Sequence, residues 1–344
     1  MKAAVFKGAK NMVMEERPMP EIEQPTDAIV RVVRACVCGS DLWWYRSGEY
    51  QVNAQTGHES IGYIEEVGSE VTRFKKGDFV IVPFPTSCGI CPVCKAGFES
   101  SCPNGGYVGT AQAQYVRTPL ADGSLVLVPG DPKTFSDELL ASLLTLSDVM
   151  STGYHAAVSA RVKAGDTAVV VGDGAVGLSG VLAAKLLGAE RIIAMSRHAD
   201  RQALAKEFGA TDIVEERGDE AVSRVLDMTD GYGADAVLEC VGSAQAAQTA
   251  FDVARRGAAI GRVGLPHDES ISPQNIFYRN LIVAGGPAPV KTYDEQRLLQ
   301  EVLDGNINPG KVFTQEFTLD EVSQAYQAMD ERRAIKSLLR VSEV

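Results

Sequence analysis

Thr167-Ala168-Val169-Val170-Val171-Gly172-Asp173-Gly174-Ala175-Val176-Gly177 is the stretch on which the fold turns. Its first five residues are apolar or β-branched without alternation, as suits a strand buried on both faces. The next six fit G-x-G-x-x-G. That pattern is weak alone, but here it follows a buried strand and opens a helical segment, about Val176 to Leu187, that stops before Gly188. Gly172 permits the tight turn and Gly174 lets the backbone approach a pyrophosphate. Gly177 lets the helix lie close on the strand. The helix start adds amide donors and positive potential for phosphates. The competing reading is a strand–turn–helix with no ligand.

Downstream the same alternation continues. Arg191–Met195, Ala236–Cys240, Ala258–Val263 and Leu281–Ala284 read as strands, with a helix around Ala199–Phe208. Strands alternating with helices imply a doubly wound parallel sheet in an α/β fold. Upstream the texture differs: short β runs such as Ala28–Val33 and Asp78–Val82 are broken by Gly and Pro, as in a compact barrel-like β domain. The last sixty or so residues hold two amphipathic helical stretches and a strand-like run, Ile335–Val341. At 344 residues the chain suits two domains.

The bulk numbers narrow the function. Hydrophobic residues make up 45% and charged residues 23%, a soluble globular profile. The 33 Lys plus Arg against 45 Asp plus Glu give a net charge of −12, which disfavours nucleic acids and anionic membranes. No apolar run reaches the ~20 residues of a membrane helix, and Met1–Phe6 lacks the apolar core of a signal peptide. The expectation is a cytoplasmic protein acting on a small molecule.

About twenty residues beyond the glycine turn, an NAD site usually offers an acid to the adenine ribose. Here the second strand ends Met195-Ser196-Arg197-His198, with no carboxylate. Ser196 can hydrogen-bond a phosphate and Arg197 can pair with its charge, so NADP(H) is predicted over NAD(H). The plainer reading has Arg197 and His198 only decorating a helix start. Asp173 places a negative charge beside the pyrophosphate and has no assigned role.

Four of the seven cysteines, Cys88, Cys91, Cys94 and Cys102, lie in Cys-x2-Cys-x2-Cys-x7-Cys. Four thiolates in one small lobe can close a tetrahedral shell around Zn²⁺ with no open position, a structural site. An iron–sulfur cluster is the alternative for four cysteines. Cys36 and Cys240, in apolar surroundings, read as inert core thiols. Cys38, in Cys38-Gly39-Ser40-Asp41, and His58-Glu59 are further candidates, far apart in sequence.

The chain resembles the zinc-containing medium-chain dehydrogenase/reductase family, the zinc-dependent alcohol dehydrogenases in particular. The motif Gly57-His58-Glu59-x2-Gly62-x5-Gly68-x2-Val71 carries the resemblance, with the four-cysteine lobe and the nucleotide fold following in family order. It extends from the first strand to Ala334-Ile335-Lys336. The resemblance implies a GroES-like β-barrel catalytic domain, residues 1–150 and 288–344, around a Rossmann domain, residues 151–287. The active site would lie in the cleft between them. It implies two zinc ions per chain. Cys38, His58 and Asp148 would ligate the catalytic one, leaving one open and electrically neutral position. Glu59 would lie behind the metal as an occasional ligand, or serve only as a buried structural acid. Asp41 would orient His58.

The same resemblance assigns hydride transfer between an alcohol carbon and the nicotinamide, with the metal polarising the oxygen. Ser40 would pass the proton. Thr152 would touch the nicotinamide. Val241, Gly264 and Leu265 would line the cofactor, as would Ala175 and Val176 in the glycine turn. Lys336 would reach the pyrophosphate. Relatives form dimers or tetramers, often through the last strand of the nucleotide domain, here Leu281–Ala284. The sequence departs where many relatives carry a relay histidine: it has Trp43, followed by Trp44, and indole is a donor only. Both tryptophans are expected to wall an apolar substrate pocket, with plain core packing as the alternative. Two rivals stand beside this reading. One is a zinc-dependent polyol or amino-alcohol dehydrogenase, the other a catalytically silent member that only binds nucleotide and metal.

Overall fold

In the computed structural model, which describes residues 1–267 and 271–344, the chain begins as an antiparallel ribbon of β1 (Lys2–Gly8) and β2 (Asn11–Glu16). β3 (Ala28–Cys36) is almost wholly buried; β4 (Ser60–Val67) pairs antiparallel with it, and β5 (Phe79–Val82) pairs antiparallel with β4. β6 (Pro85–Thr86) and β7 (Gly106–Tyr107) pair with each other and close the base of the four-cysteine segment. β8 (Tyr115–Thr118) pairs with β3, and β9 (Val126–Leu127) with β5.

β10 (Thr167–Val171) then starts a second sheet. With β11 (Arg191–Met195), β12 (Asp212–Val214), β13 (Ala234–Glu239), β14 (Ala254–Arg262) and β15 (Ile282–Gly285), it forms six parallel strands in the order β12-β11-β10-β13-β14-β15. The order reverses beside β10, the place where doubly wound sheets take their ligands. Ala168, Val169 and Val170 are fully buried, which explains their unbroken apolar run. The helix after the glycine turn spans Ala175–Leu186, one residue ahead of its expected start and end.

β16 (Phe313–Thr318) and β17 (Lys336–Arg340) return to the first sheet, where β17 lies between β16 and β3, antiparallel to β3. The chain thus forms two units. Met1–Asp148 with Pro289–Val344 is one, and Val149–Ala288 is the other. Each has its own apolar core: Phe6, Val30, Val80, Leu125 and Tyr326 belong to the first, Val169, Ile193, Val237 and Ile260 to the second. Among the described residues no helix is long and apolar enough to cross a membrane.

Candidate metal centres and nucleotide turn

The four cysteines of the lobe converge. Cys91 Sγ lies 3.5 Å from Cys94 Sγ and 4.0 Å from Cys102 Sγ, and Cys102 Sγ lies 3.6 Å from Cys88 Sγ. With Zn–S bonds of about 2.3 Å, the edge of an S₄ tetrahedron is about 3.8 Å. The quartet therefore fits one ion, with no room for the irons and sulfides of a cluster. No disulfide forms. The loop favours a thiolate at Cys88. Burial raises the Cys88 pKa, but the backbone amide of Ile90, Asn104 Nδ2 and the Cys91 amide outweigh it and bring it down to about 6. Burial and hydrogen bonds shared with Cys91 and Cys102 push Cys94 up to about 12. The lobe is tied to the rest of its unit by Glu99, whose carboxylate accepts from the Thr292 amide at 2.7 Å and from Thr292 Oγ1 at 2.9 Å.

The second cluster gathers Cys38, from the turn after β3, His58 and Glu59, from the entry to β4, and Asp148, from the turn after the helix Asp137–Thr145. Their donor atoms all lie within 4.8 Å of one another. Cys38 Sγ is 3.6 Å from Asp148 Oδ2, and His58 Nε2 is 3.4 Å from the same oxygen. A tetrahedral zinc with ordinary bond lengths gives S···O and N···O edges of about 3.5 and 3.3 Å. Asp41 holds the frame from behind: its Oδ2 accepts from the Cys38 amide at 3.1 Å and its Oδ1 lies 3.6 Å from His58 Nδ1. That leaves Nε2 to face the cluster. The electrostatics ask for a cation. Burial and the Asp148 charge raise the Cys38 pKa. Burial pulls His58 down, but Asp41 and Cys38 outweigh it and hold it well above the ordinary histidine range.

Lys336 is a correction. Expected at a pyrophosphate, it is fully buried, with Nζ donating to Glu59 Oε1 at 2.7 Å and to the Val37 carbonyl at 3.1 Å. β17 pairs with β3, and this register carries the ammonium beneath the cluster, so it has no surface to offer a phosphate. Glu59 is equally buried. Its Oε1 is 3.9 Å from His58 Nε2, and its Oε2 has no hydrogen-bond partner among the described residues. Sequence reasoning also missed a buried network behind Asp41. Tyr326 Oη and Thr56 Oγ1 donate to Gln112 Oε1 at 2.9 and 2.7 Å, and Gln112 Nε2 donates to the Cys36 carbonyl. No local motif announces residues that meet only through the sheet.

Ser40 precedes the helix Asp41–Ser47 and its side chain makes no cap hydrogen bond there. Trp43, in that helix, is 42% exposed. Trp44 takes the packing role: it stacks on Tyr50 with centroids 4.7 Å apart and meets Phe6 edge-on at 5.1 Å, against the unit's core.

In the second unit, a Cβ on Gly177 would lie 2.0 Å from the Gly172 carbonyl oxygen, so helix and turn touch as closely as only glycine allows. A Cβ on Gly174 would meet open space, and the helix Ala175–Leu186 has no side-chain cap. This is the cradle a pyrophosphate fits. Val241 and Leu265, 40% and 54% exposed, follow the ends of β13 and β14, with Gly264 beside Leu265. Glu239, unforeseen from sequence, fixes that rim by accepting from the Val241 and Gly242 amides at 2.8 and 2.7 Å. Thr152 is in the helix Val149–Ser159 and almost wholly buried. Arg197 is exposed just past β11. Ser196 is not: it is fully buried, and its hydroxyl already donates to Asp173 Oδ2 at 2.8 Å.

Comparison with known proteins agrees with this architecture. Residues 24–130 match the family model of the alcohol dehydrogenase GroES-like domain, and residues 175–303 that of the zinc-binding dehydrogenases. Zinc-type alcohol dehydrogenase B of Aspergillus flavus is 33% identical over all of this chain and 82% of its own length. A sorbitol dehydrogenase of Bacillus subtilis is 32% identical, over 95% of this chain and 93% of its own. Among solved structures, the alcohol dehydrogenase TADH from Thermus sp. ATN1 superimposes with a TM-score of 0.89 at 31% identity, covering 99% of this chain and all of that one.

Proposed function

Because the chain belongs to the zinc-containing medium-chain dehydrogenase/reductase family, we propose that it is a zinc-dependent alcohol dehydrogenase and carbonyl reductase that prefers NADP(H) and acts on apolar or secondary alcohols. The carrying observation is the Cys38–His58–Asp148 cluster, whose donor atoms stand at the spacing of a tetrahedral zinc shell. Two anions, whose charges cancel that of the metal, and one imidazole would hold Zn²⁺ there, and Cys88, Cys91, Cys94 and Cys102 a second one. Zinc held there would supply Lewis acidity to the substrate oxygen, and a nicotinamide held at the glycine turn would supply the hydride chemistry. Asp41 orients His58 and the Cys38 backbone. Ser40 Oγ passes the proton between the substrate hydroxyl and the cofactor ribose, and because Trp43 cannot relay it, the proton leaves through the ribose to water or through another group. Glu59 stands behind the ligands with its charge balanced by Lys336. Trp43 offers an apolar face to the substrate. Thr152, Gly172, Gly174, Ala175, Val176, Gly177, Val241, Gly264 and Leu265 form the cofactor surface. Arg197, just past the end of β11, and Arg201, in the helix Ala199–Phe208, favour a 2′-phosphate. The protein is read as cytoplasmic and as a homodimer or homotetramer.

The test is metal analysis together with a panel of alcohols and carbonyls run with NADPH and NADH in parallel. The expected result is two zincs per chain, turnover of apolar carbonyls, and a higher kcat/KM with NADPH. The similarity to a sorbitol dehydrogenase places polyols in the panel. Turnover confined to them would replace the substrate class, and full metal occupancy without turnover of any compound would leave only binding.

A further inference from the structure

Asp173 follows the first glycine of the turn, and its side chain crosses to the end of the neighbouring strand β11. There Oδ2 accepts from Ser196 Oγ at 2.8 Å, while Oδ1 is 3.0 Å from Arg201 Nη1. The same guanidinium nitrogen lies 3.4 Å from the Asp173 carbonyl oxygen. Gln202 Nε2 donates to the Ser196 carbonyl and fixes the strand end. The side chains of Asp173 and Arg201 are each 15% exposed, so the pair is confined but reachable. The end of this strand is where an adenine-ribose acid usually stands. Met195–His198 carries none, yet the fold brings a carboxylate to that place from the glycine turn.

We propose that Asp173 sets the choice between NADP(H) and NAD(H): its carboxylate accepts a ribose hydroxyl and holds Arg201 back from a 2′-phosphate. This deepens the cofactor reading above and rests on the glycine turn being the nucleotide site. A carboxylate only accepts hydrogen bonds. A ribose 2′-hydroxyl can donate to it, whereas a phosphate oxygen meets like charge. Asp173, Arg197 and Arg201 sum to +1, and removing the carboxylate leaves +2 to face the phosphate. The chain therefore carries the cations of an NADP site under the restraint of an acid, and NAD(H) remains a usable second cofactor.

The experiment is calorimetric titration of the zinc-loaded enzyme with NADP⁺ and with NAD⁺, with no substrate present. Asp173→Asn keeps the shape and an acceptor for Ser196 but loses the charge. One charge at contact range, partly screened, shifts the Kd ratio by about tenfold. NADP⁺ should tighten, NAD⁺ should weaken, and Arg201→Gln added to Asp173→Asn should abolish the gain. An unchanged ratio, whether both constants move together or neither moves, overturns the proposal and leaves Asp173 a turn residue. Should Asp173→Asn not fold, Arg201→Gln alone decides: the ratio should move toward NAD⁺, and a static ratio overturns the proposal. The wild-type ratio tests the NADP preference separately, since the shift is expected whichever cofactor the wild type binds more tightly. A wild type that binds neither overturns both.

Discussion

Lys336 and Glu59 show what a single residue does in this protein. Both are buried beneath the cluster, each the other's charge partner at 2.7 Å. Removing one member of such a pair strands a charge in low dielectric, at a cost of about 3–5 kcal/mol. Lys336→Met should destabilise the first unit by that order in urea unfolding, and Glu59→Gln added to it should recover most of the loss. If the double variant is no better than the single one, stranded charge is not the cause. Residues were legible in the sequence where chemistry and spacing coincide. The four lobe cysteines were found that way, whereas Cys38 and His58 became ligand candidates only through the family resemblance, and within each set the donor atoms converge. Lys336 was misplaced because its partner is 277 residues away and only strand pairing brings it in. Asp173 stayed unexplained for the same reason: its carboxylate answers Ser196 and Arg201 on the next strand and helix.

Elements obey packing rules that local sequence states only in part. The helices Val149–Ser159 and Ala175–Leu186 approach so closely that a Cβ on Gly153 would lie 2.5 Å from the Gly180 amide nitrogen. Backbone cannot yield as a side chain does, so Gly153→Ala should destabilise the second unit by about 1–3 kcal/mol through overpacking. Gly174→Ala makes the opposite case. Its Cβ points into open space, so thermal unfolding should hardly move while cofactor binding weakens. Equal losses of stability in the two variants would contradict this division. The buried strand β10 and the helix behind it were legible from composition and the glycine spacing. The pairing of β17 with β3 was not, since a short apolar run carries no address.

For the whole molecule, the four-cysteine lobe matters through its reach. Its Glu99 grips Thr292, just past the point where the chain re-enters the first unit. Cys91→Ser should reduce the zinc content from the proposed two per chain to about one and speed thermal inactivation, while the purified enzyme keeps most of its turnover in the cold. Loss of both metals at once would mean that the two centres are not independent. The order of motifs along the chain made the two-part organisation legible, because a nucleotide fold interrupts a β-rich domain. The discontinuity has a temporal side. During synthesis the parallel sheet is complete once β15 has emerged, whereas β3 still lacks its neighbour β17. Until then Glu59 has no counter-charge and the metal cluster stands on an unfinished floor. The ribosome therefore delivers every strand of the parallel sheet before it delivers the last strands of the first unit.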